Sequence, residues 1–284
     1  VGEVADVTWE DADVDAAFDF FVDDHGSYVR RRLVPNDAQI VENSLPNVAF
    51  WPVVFPVADP RHGSAILSLV FLAFALRPVG QLLVPEVIRR YHAPKGVPKL
   101  PHLLNFLREL PAAMRYVPSF FYRRYFDERR LPGFFVRNRS HTYGLSFHAE
   151  HFPSPDSRVW LNDEIDARGM PRLTIDFRFA RKDAEALLRA HRLLDIWLRD
   201  NKIGRIRYRQ TEAETVDAIL NVVEHGTHQI GTTRMGENRL DAVVDRNLRT
   251  FDVDNLYVAG SSVFPTAGQA NPTFASVAFA IRLA

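Results

Sequence analysis

Hydrophobic and polar positions change their rhythm along the chain, and each change marks an element. From Ala65 to Leu76 the sequence is apolar except for Ser68, and Arg77-Pro78 closes the run. Twelve residues fall short of the ~20 that cross a bilayer, so the run predicts a buried core helix, with an interfacial segment as the alternative. Between Pro85 and Pro118 apolar residues recur at helical spacing, as Val87, Ile88 and Tyr91 and then Leu103, Leu104 and Leu107, with prolines cutting the pattern into pieces. The first 135 or so residues therefore read as helix-rich. The exception is Asn47–Val54, whose β-branched and aromatic residues predict a strand.

Near residue 141 the period drops to two. Tyr143, Leu145, Phe147 and Ala149 alternate with Gly144, Ser146, His148 and Glu150, a strand with one face on a core and the other on solvent or a substrate cavity. A turn at Pro153-Ser154-Pro155-Asp156 leads to a second strand at Arg158–Leu161. A turn at Asp166-Ala167-Arg168-Gly169 leads to a third at Leu173–Phe179, and together they predict an antiparallel meander. Asp183–Leu198 is an amphipathic helix, with Leu187, Leu188, Leu194, Trp197 and Leu198 on one side. Glycines punctuate the last third. Leu256–Ala259 predicts a short strand ending at Gly260-Ser261-Ser262, and Asn271-Pro272-Thr273 predicts a helix start, with Asn at the cap and Pro in the first position.

Composition narrows the chemistry mainly by exclusion. With 46% hydrophobic and 25% charged residues the chain is globular rather than disordered. Its 35 basic and 35 acidic residues cancel, so no global field draws nucleic acid. It has no cysteine, which removes disulfides, Cys-ligated zinc, iron–sulfur clusters and thiolate nucleophiles. No two glycines lie two apart, so the dinucleotide turn G-x-G-x-x-G is missing. Gly226 and Gly231 have P-loop spacing without the P-loop lysine. His225 and His228 flank Gly226-Thr227 with no third ligand in view, so no metal site is expected. Arginines at 123, 124, 129, 130, 137 and 139, interleaved with Tyr125, Phe126, Phe134 and Phe135, read as a solvated face over a core edge.

The densest constellation is C-terminal. It runs from His228-Gln229-Ile230-Gly231-Thr232-Thr233-Arg234-Met235-Gly236 to Val243-Val244-Asp245. Val253-Asp254-Asn255-Leu256-Tyr257-Val258-Ala259-Gly260-Ser261-Ser262-Val263-Phe264-Pro265 follows, and Asn271-Pro272-Thr273 completes it. In order and spacing it resembles the C-terminal signature of the glucose–methanol–choline (GMC) family of flavoproteins. Weaker resemblance reaches back through Ala149-Glu150 and Ser157-Arg158-Val159 to Asp166 and Gly169.

That resemblance implies an FAD-dependent oxidoreductase acting on a CH–OH donor, an alcohol or sugar, as dehydrogenase or oxidase. It implies that His228 takes the hydroxyl proton while hydride passes to flavin N5, as an imidazole of pKa ~6.5 is suited to do. Asn271 would hold the substrate oxygen as charge develops, or else cap the last helix. Gly260 and Ser261 would approach the FAD diphosphate. The helix opening at Pro272 would aim the backbone N–H groups of Thr273 and Phe274 at the flavin pyrimidine. The implied fold is α+β: an antiparallel substrate-domain sheet backed by helices, with the C-terminal segment completing an FAD-binding α/β domain. Residues 1–140 would be a helix-rich cap, 141–220 the sheet and helix of the substrate domain, and 221–284 the catalytic segment. Since family members hold the ADP half of FAD on an N-terminal glycine-rich turn, the chain is expected to be the C-terminal portion of a longer enzyme. The sequence names neither the electron acceptor nor the compartment. The competing reading is a non-enzymatic membrane-surface or partner-binding module carried by Ala65–Leu76 and the arginine–aromatic segment.

Overall fold

The computed structural model describes residues 2–127, 135–221, 229–268 and 271–284. Its centre is a four-stranded antiparallel sheet in the order β4-β5-β1-β8, formed by β1 (Gly2–Trp9), β4 (Val48–Val53), β5 (Thr142–Ala149) and β8 (Gly204–Tyr208). The alternation in 142–149 places Tyr143, Leu145 and Phe147 on the packed face, where each is 3% exposed or less. Phe50 of β4 lies opposite Phe147, and Val7 of β1 lies opposite Tyr143, so three strands bury the same face. Helices α8 (Arg181–Asp200) and α9 (Glu212–Asn221) cover that face. In α8 the buried side is Ala184, Leu187, Leu188, His191 and Leu198, whereas Trp197, expected on the same side, is 41% exposed. Asp183 fixes the start of α8 by accepting from the N–H groups of Ala180 at 2.9 Å and Phe152 at 2.8 Å.

The architecture is thus α+β, an antiparallel sheet backed by helices, but the sequence reading needs three corrections. The first concerns 1–140. Its helices are real from residue 65 onward, and β4 is the strand expected at Asn47–Val54, yet it also supplies the unexpected β1, so half of the central sheet comes from this part. The second concerns the meander. β5 pairs with β1 and β4, while β6 (Arg158–Ile165) and β7 (Pro171–Asp176) form a separate hairpin. The hairpin turn is the expected one: the Asp166 carboxylate accepts from the N–H groups of Arg168 and Met170, and Gly169 takes φ 78°. The pairing differs because both edges of β5 are already taken. The third concerns Leu256–Ala259, which makes one bridge, Arg249 with Tyr257, rather than a strand. Leu256 and Tyr257 stay exposed, with no sheet to join.

Between β4 and β5 lies a hood of five helices: α3 (Ala65–Ala75), α4 (Arg77–Leu83), α5 (Glu86–His92), α6 (Lys99–Arg108) and α7 (Leu110–Tyr125). Two short helices, α1 (Ala12–Ala17) and α2 (Asp37–Glu42), and a small ribbon of β2 (Phe21–Val22) and β3 (Tyr28–Val29) complete the N-terminal part. As the apolar run predicts, α3 is the hub of the hood, packed against α4, α5, α6 and α7. Ser64 caps it, and Leu67, Ser68 and Phe71 are buried. His102 of α6 stacks on Phe71 with ring centroids 3.9 Å apart. Burial in this seam pushes the pKa of His62 down to about 4, with His102 adding to the effect, so both imidazoles sit there uncharged. Among the described residues no single helix is long and apolar enough to cross a membrane; α3 and α4 together are, but they meet at 104°. The arginine–aromatic segment falls partly outside the described residues. Within them, Phe135 is buried beneath the Arg30 guanidinium at 4.8 Å, and Arg139 pairs with Glu109 at 3.0 Å.

Candidate functional site

The glycine-punctuated segment from 229 to 268 folds as a web of turns knitted by backbone hydrogen bonds. Thr233 and Met235 donate their N–H groups to the carbonyls of Ser262 and Val263 at 3.0 and 2.8 Å, drawing the start of the signature onto its middle. The Thr233 hydroxyl donates to the Ser262 hydroxyl at 2.7 Å. Gly231 takes φ 78°, and a side chain there would press on the Phe264 carbonyl at 3.2 Å. Val244, Leu248 and Val263 form a small fully buried cluster. Leu248 is held at φ 68°, an unusual value for leucine. The Asp245 carboxylate over-determines the turn by accepting from the N–H groups of Asn247 and Arg249 at 2.8 and 3.0 Å. Much of the signature is therefore accounted for by packing and turn chemistry.

The expected cofactor residues sit on the exposed side of this web. Gly260 has φ 130° and ψ −176°, a backbone shape reserved for glycine, and nothing lies within 4 Å of where a Cβ would stand. A single 3₁₀ turn, Ser261–Val263, follows it. Helix α10 (Thr273–Leu283) begins one residue later than expected, with Pro272 at the cap position and no side-chain cap. Asn271 thus does not serve as the N-cap. The first bonded amide of α10 is Ser276, which donates to the Pro272 carbonyl at 2.8 Å. The N–H groups of Thr273, Phe274 and Ala275 therefore have no helical acceptor, and the dipole's positive end is unshielded. Phe274 is 86% exposed. The far half of α10 docks on the web, through Phe279 and Leu283 against the Val263 cluster and Phe264 against Phe279 at 5.6 Å.

One residue ties this segment to the central sheet. Glu150, just past β5, accepts from the Asn47 N–H and side-chain amide through Oε1 at 3.2 and 2.9 Å, and from the Ala267 N–H through Oε2 at 3.0 Å. Its own N–H donates to the Asn47 carbonyl at 3.1 Å. A shallow cleft of about 330 Å³ lies beside this junction, lined by Val34, Pro35, Asn36, Asp37, Ile40, Asn47, Val48 and Gly268. Asn271 follows Gly268 by three positions in the sequence. The resemblance includes Ala149-Glu150 but assigns Glu150 no role. The alternation of 143–150, which puts Glu150 among the polar positions at a strand end, was the signal available.

The sheet face opposite α8 is the second polar surface. Ser146 and His148 of β5 lie on it, with Trp51 of β4 edge-on to His148 at 4.6 Å and the Arg32 guanidinium 4.5 Å over Trp51. Toward β8, Arg209 donates to Asp6 at 2.7 Å and approaches Glu3 at 3.5 Å. Burial raises the pKa of Glu3, and Arg209 opposes the rise. Ser146 and Asp6 are themselves buried, so this face is partly covered by its own charged side chains.

His228, the expected proton acceptor, and His225 lie outside the described residues. The structure brings Gly260, Ser261 and α10 into one packed unit and leaves Asn271, Pro272, Thr273 and Phe274 exposed at its edge. Among the described residues no group of three His, Asp or Glu side chains is placed to hold a metal.

The GMC oxidoreductase family model matches residues 153–280. A C-glycoside 3-oxidase of Arthrobacter globiformis is 32% identical over 160 residues, 55% of this chain and 27% of the relative. The fructose dehydrogenase large subunit of Gluconobacter japonicus is 30% identical over 155 residues, 52% of this chain and 26% of the relative. A pyranose 2-oxidase of Tricholoma matsutake is 30% identical over 133 residues, 46% of this chain and 22% of the relative. The matched part of the chain spans about a quarter of the length of these relatives. Over residues 153–280 the chain is thus similar to the GMC oxidoreductases.

Proposed function

We propose that the chain is the substrate-binding and catalytic portion of an FAD-dependent oxidoreductase that converts a CH–OH donor, an alcohol or sugar, to a carbonyl. The observation that carries this reading is the packed web itself. Signature residues far apart in sequence, Thr233, Val244 and Ser262, come together. They carry on one edge an uncapped helix start and a glycine-only turn.

The described residues fit a bound FAD in two ways. Three N–H groups without a helical acceptor at the start of α10 suit an electron-rich ring edge, with Thr273 and Phe274 the first donors. The bare backbone at Gly260-Ser261 lets a diphosphate come close without meeting a side chain. Residues 221–284 then complete an FAD-binding α/β domain, while the sheet and helix of 141–220, together with 1–140, form the substrate side. Bound FAD supplies the acceptor for the hydride that leaves the alcohol carbon. This chain's own residues do the rest. The His228 imidazole takes the proton from the substrate hydroxyl, and the Asn271 amide N–H holds the same oxygen as negative charge grows on it. Because Asn271 is not used as a helix cap, its amide is not committed to the α10 backbone.

The test is His228→Ala in the full-length protein carrying FAD. Substrate-dependent flavin reduction should slow by about 10²–10⁴-fold, the usual worth of a positioned base. FAD content should change little, since the imidazole is not a main source of cofactor affinity. A variant that reduces flavin at the parent rate would refute the assignment of His228. A protein that takes up no FAD at all would refute the wider reading.

A further inference from the structure

The hood helices turn an unusual share of their apolar residues outward. Among the described residues, sixteen large apolar side chains from Leu76 to Phe126 are exposed, among them Leu82 at 86%, Val87 at 80% and Tyr91 at 81%. Such a concentration exceeds the scattered apolar residues of an ordinary surface. Each of these helices contacts α3, and α4 and α6 bury Gly80 and His102, so the exposed side belongs to a packed hood. Gly80 of α4 lies so close to α5 that a Cβ there would stand 2.9 Å from the Arg89 side chain, which joins α4 and α5 into one surface.

Charge is segregated on the same helices. Residues 77–125 contain nine Lys and Arg but only Glu86 and Glu109 as acids, in a chain whose net charge is zero. Both acids are already engaged: Glu86 with Arg89 and Arg90 at 2.8 Å, Glu109 with Arg139 at 3.0 Å. Arg77, Lys95, Lys99 and Arg108 are exposed beside the apolar residues. We propose that α4 and α5, flanked by α6, form a docking surface for an anionic lipid bilayer, lying in the interface with Leu82, Leu83, Val87 and Tyr91 inserted and the basic side chains at the headgroups. Amphipathic, cationic helices with aromatic residues bind membranes in this way, by apolar burial together with attraction to acidic lipid. The sharp bend between α3 and α4 suits a surface-lying arrangement rather than a crossing. Charge argues against a second copy as the occupant, because a two-fold contact would set this cationic surface against itself. The inference is independent of the oxidoreductase reading, which rests on the opposite end of the chain.

The test is flotation of the full chain with phosphatidylcholine vesicles, with and without phosphatidylglycerol. The chain should float with the acidic vesicles, float at least tenfold less with neutral ones, and be released by raised salt. Leu82→Glu combined with Val87→Glu should lower flotation at least tenfold while far-UV circular dichroism stays unchanged, both sites being exposed. Leu240→Glu, at an equally exposed leucine outside the hood, should have no effect. No flotation with acidic vesicles, equal flotation with both vesicle types, or equal loss with Leu240→Glu would overturn the proposal. So would a dimer in light scattering that the double variant dissolves, which would assign the face to self-association.

Discussion

His191 offers a quantitative test of the central packing. Its imidazole is fully buried between α8 and the sheet, with Phe50 at 4.7 Å and Phe147 at 5.4 Å between ring centroids. Nδ1 bonds the Leu187 carbonyl at 2.9 Å, and Nε2 has no partner. A proton on Nε2 would therefore place an uncompensated charge in an apolar seam, and burial pushes the pKa down to about 4. In the unfolded chain the same imidazole titrates near 6.5. Below that pH the unfolded state gains a proton that the folded state refuses, so stability falls as pH drops from 6.5 toward 4. At ~1.36 kcal/mol per pKa unit the loss reaches about 3 kcal/mol at pH 4. His191→Phe keeps an aromatic ring in the seam and removes the titration. Urea unfolding of both proteins at pH 7 and pH 4 isolates the effect, because the carboxylates they share cancel in the difference. The parent should lose about 3 kcal/mol more than the variant on acidification. A difference below about 0.5 kcal/mol, or an imidazole resonance titrating near pH 6.5 in the folded protein, would show that this seam is open to water.

Four further outcomes follow from the same geometry. Phe147→Ala, at 3% exposure between Phe50 and α8, should cost about 3–5 kcal/mol in denaturant unfolding; a loss below ~1 kcal/mol would sink the two-sided burial of β5. Glu150→Ala should remove about 1.5–3 kcal/mol and raise hydrogen exchange at the Ala267 amide, and unchanged protection there would show the clamp is idle. Gly260→Ala should cost about 1–3 kcal/mol by backbone strain alone, since the space around it is empty; an unchanged melting temperature would disprove the glycine-only conformation. In the full-length enzyme, Asn271→Ala should slow flavin reduction by about 10–10³-fold, and Asn271→Asp should be worse because its charge opposes the developing alkoxide; an Asp variant faster than Ala would contradict the proposed role.

Elements whose pattern is local were legible in the sequence. The apolar run at 65–76 became α3, the helical spacing at 183–198 became α8, and the alternation at 143–149 became β5 with its faces correctly assigned. The turn at Asp166–Gly169 followed from one carboxylate and one glycine, both adjacent to the amides they serve. The likeness to the GMC oxidoreductases was legible because the signature residues are fixed in order and spacing along the chain. Strand partners were not legible. β5 pairs with β1, some 135 residues earlier, and no local pattern encodes that choice. β1 itself was hidden by a register shift between Glu3 and Ala5, which leaves Val4 to Val7 buried in succession and erases the period of two. The start of α10 falls one residue later than the sequence predicts, because whether Asn271 caps the helix depends on tertiary placement rather than on propensity. Only the tertiary structure showed that Glu150 joins Asn47 to Ala267, since a carboxylate finds amides more than a hundred residues away through the fold alone. The outward apolar side of the hood was likewise hidden, because helical periodicity marks a face as apolar without saying whether the chain itself covers it.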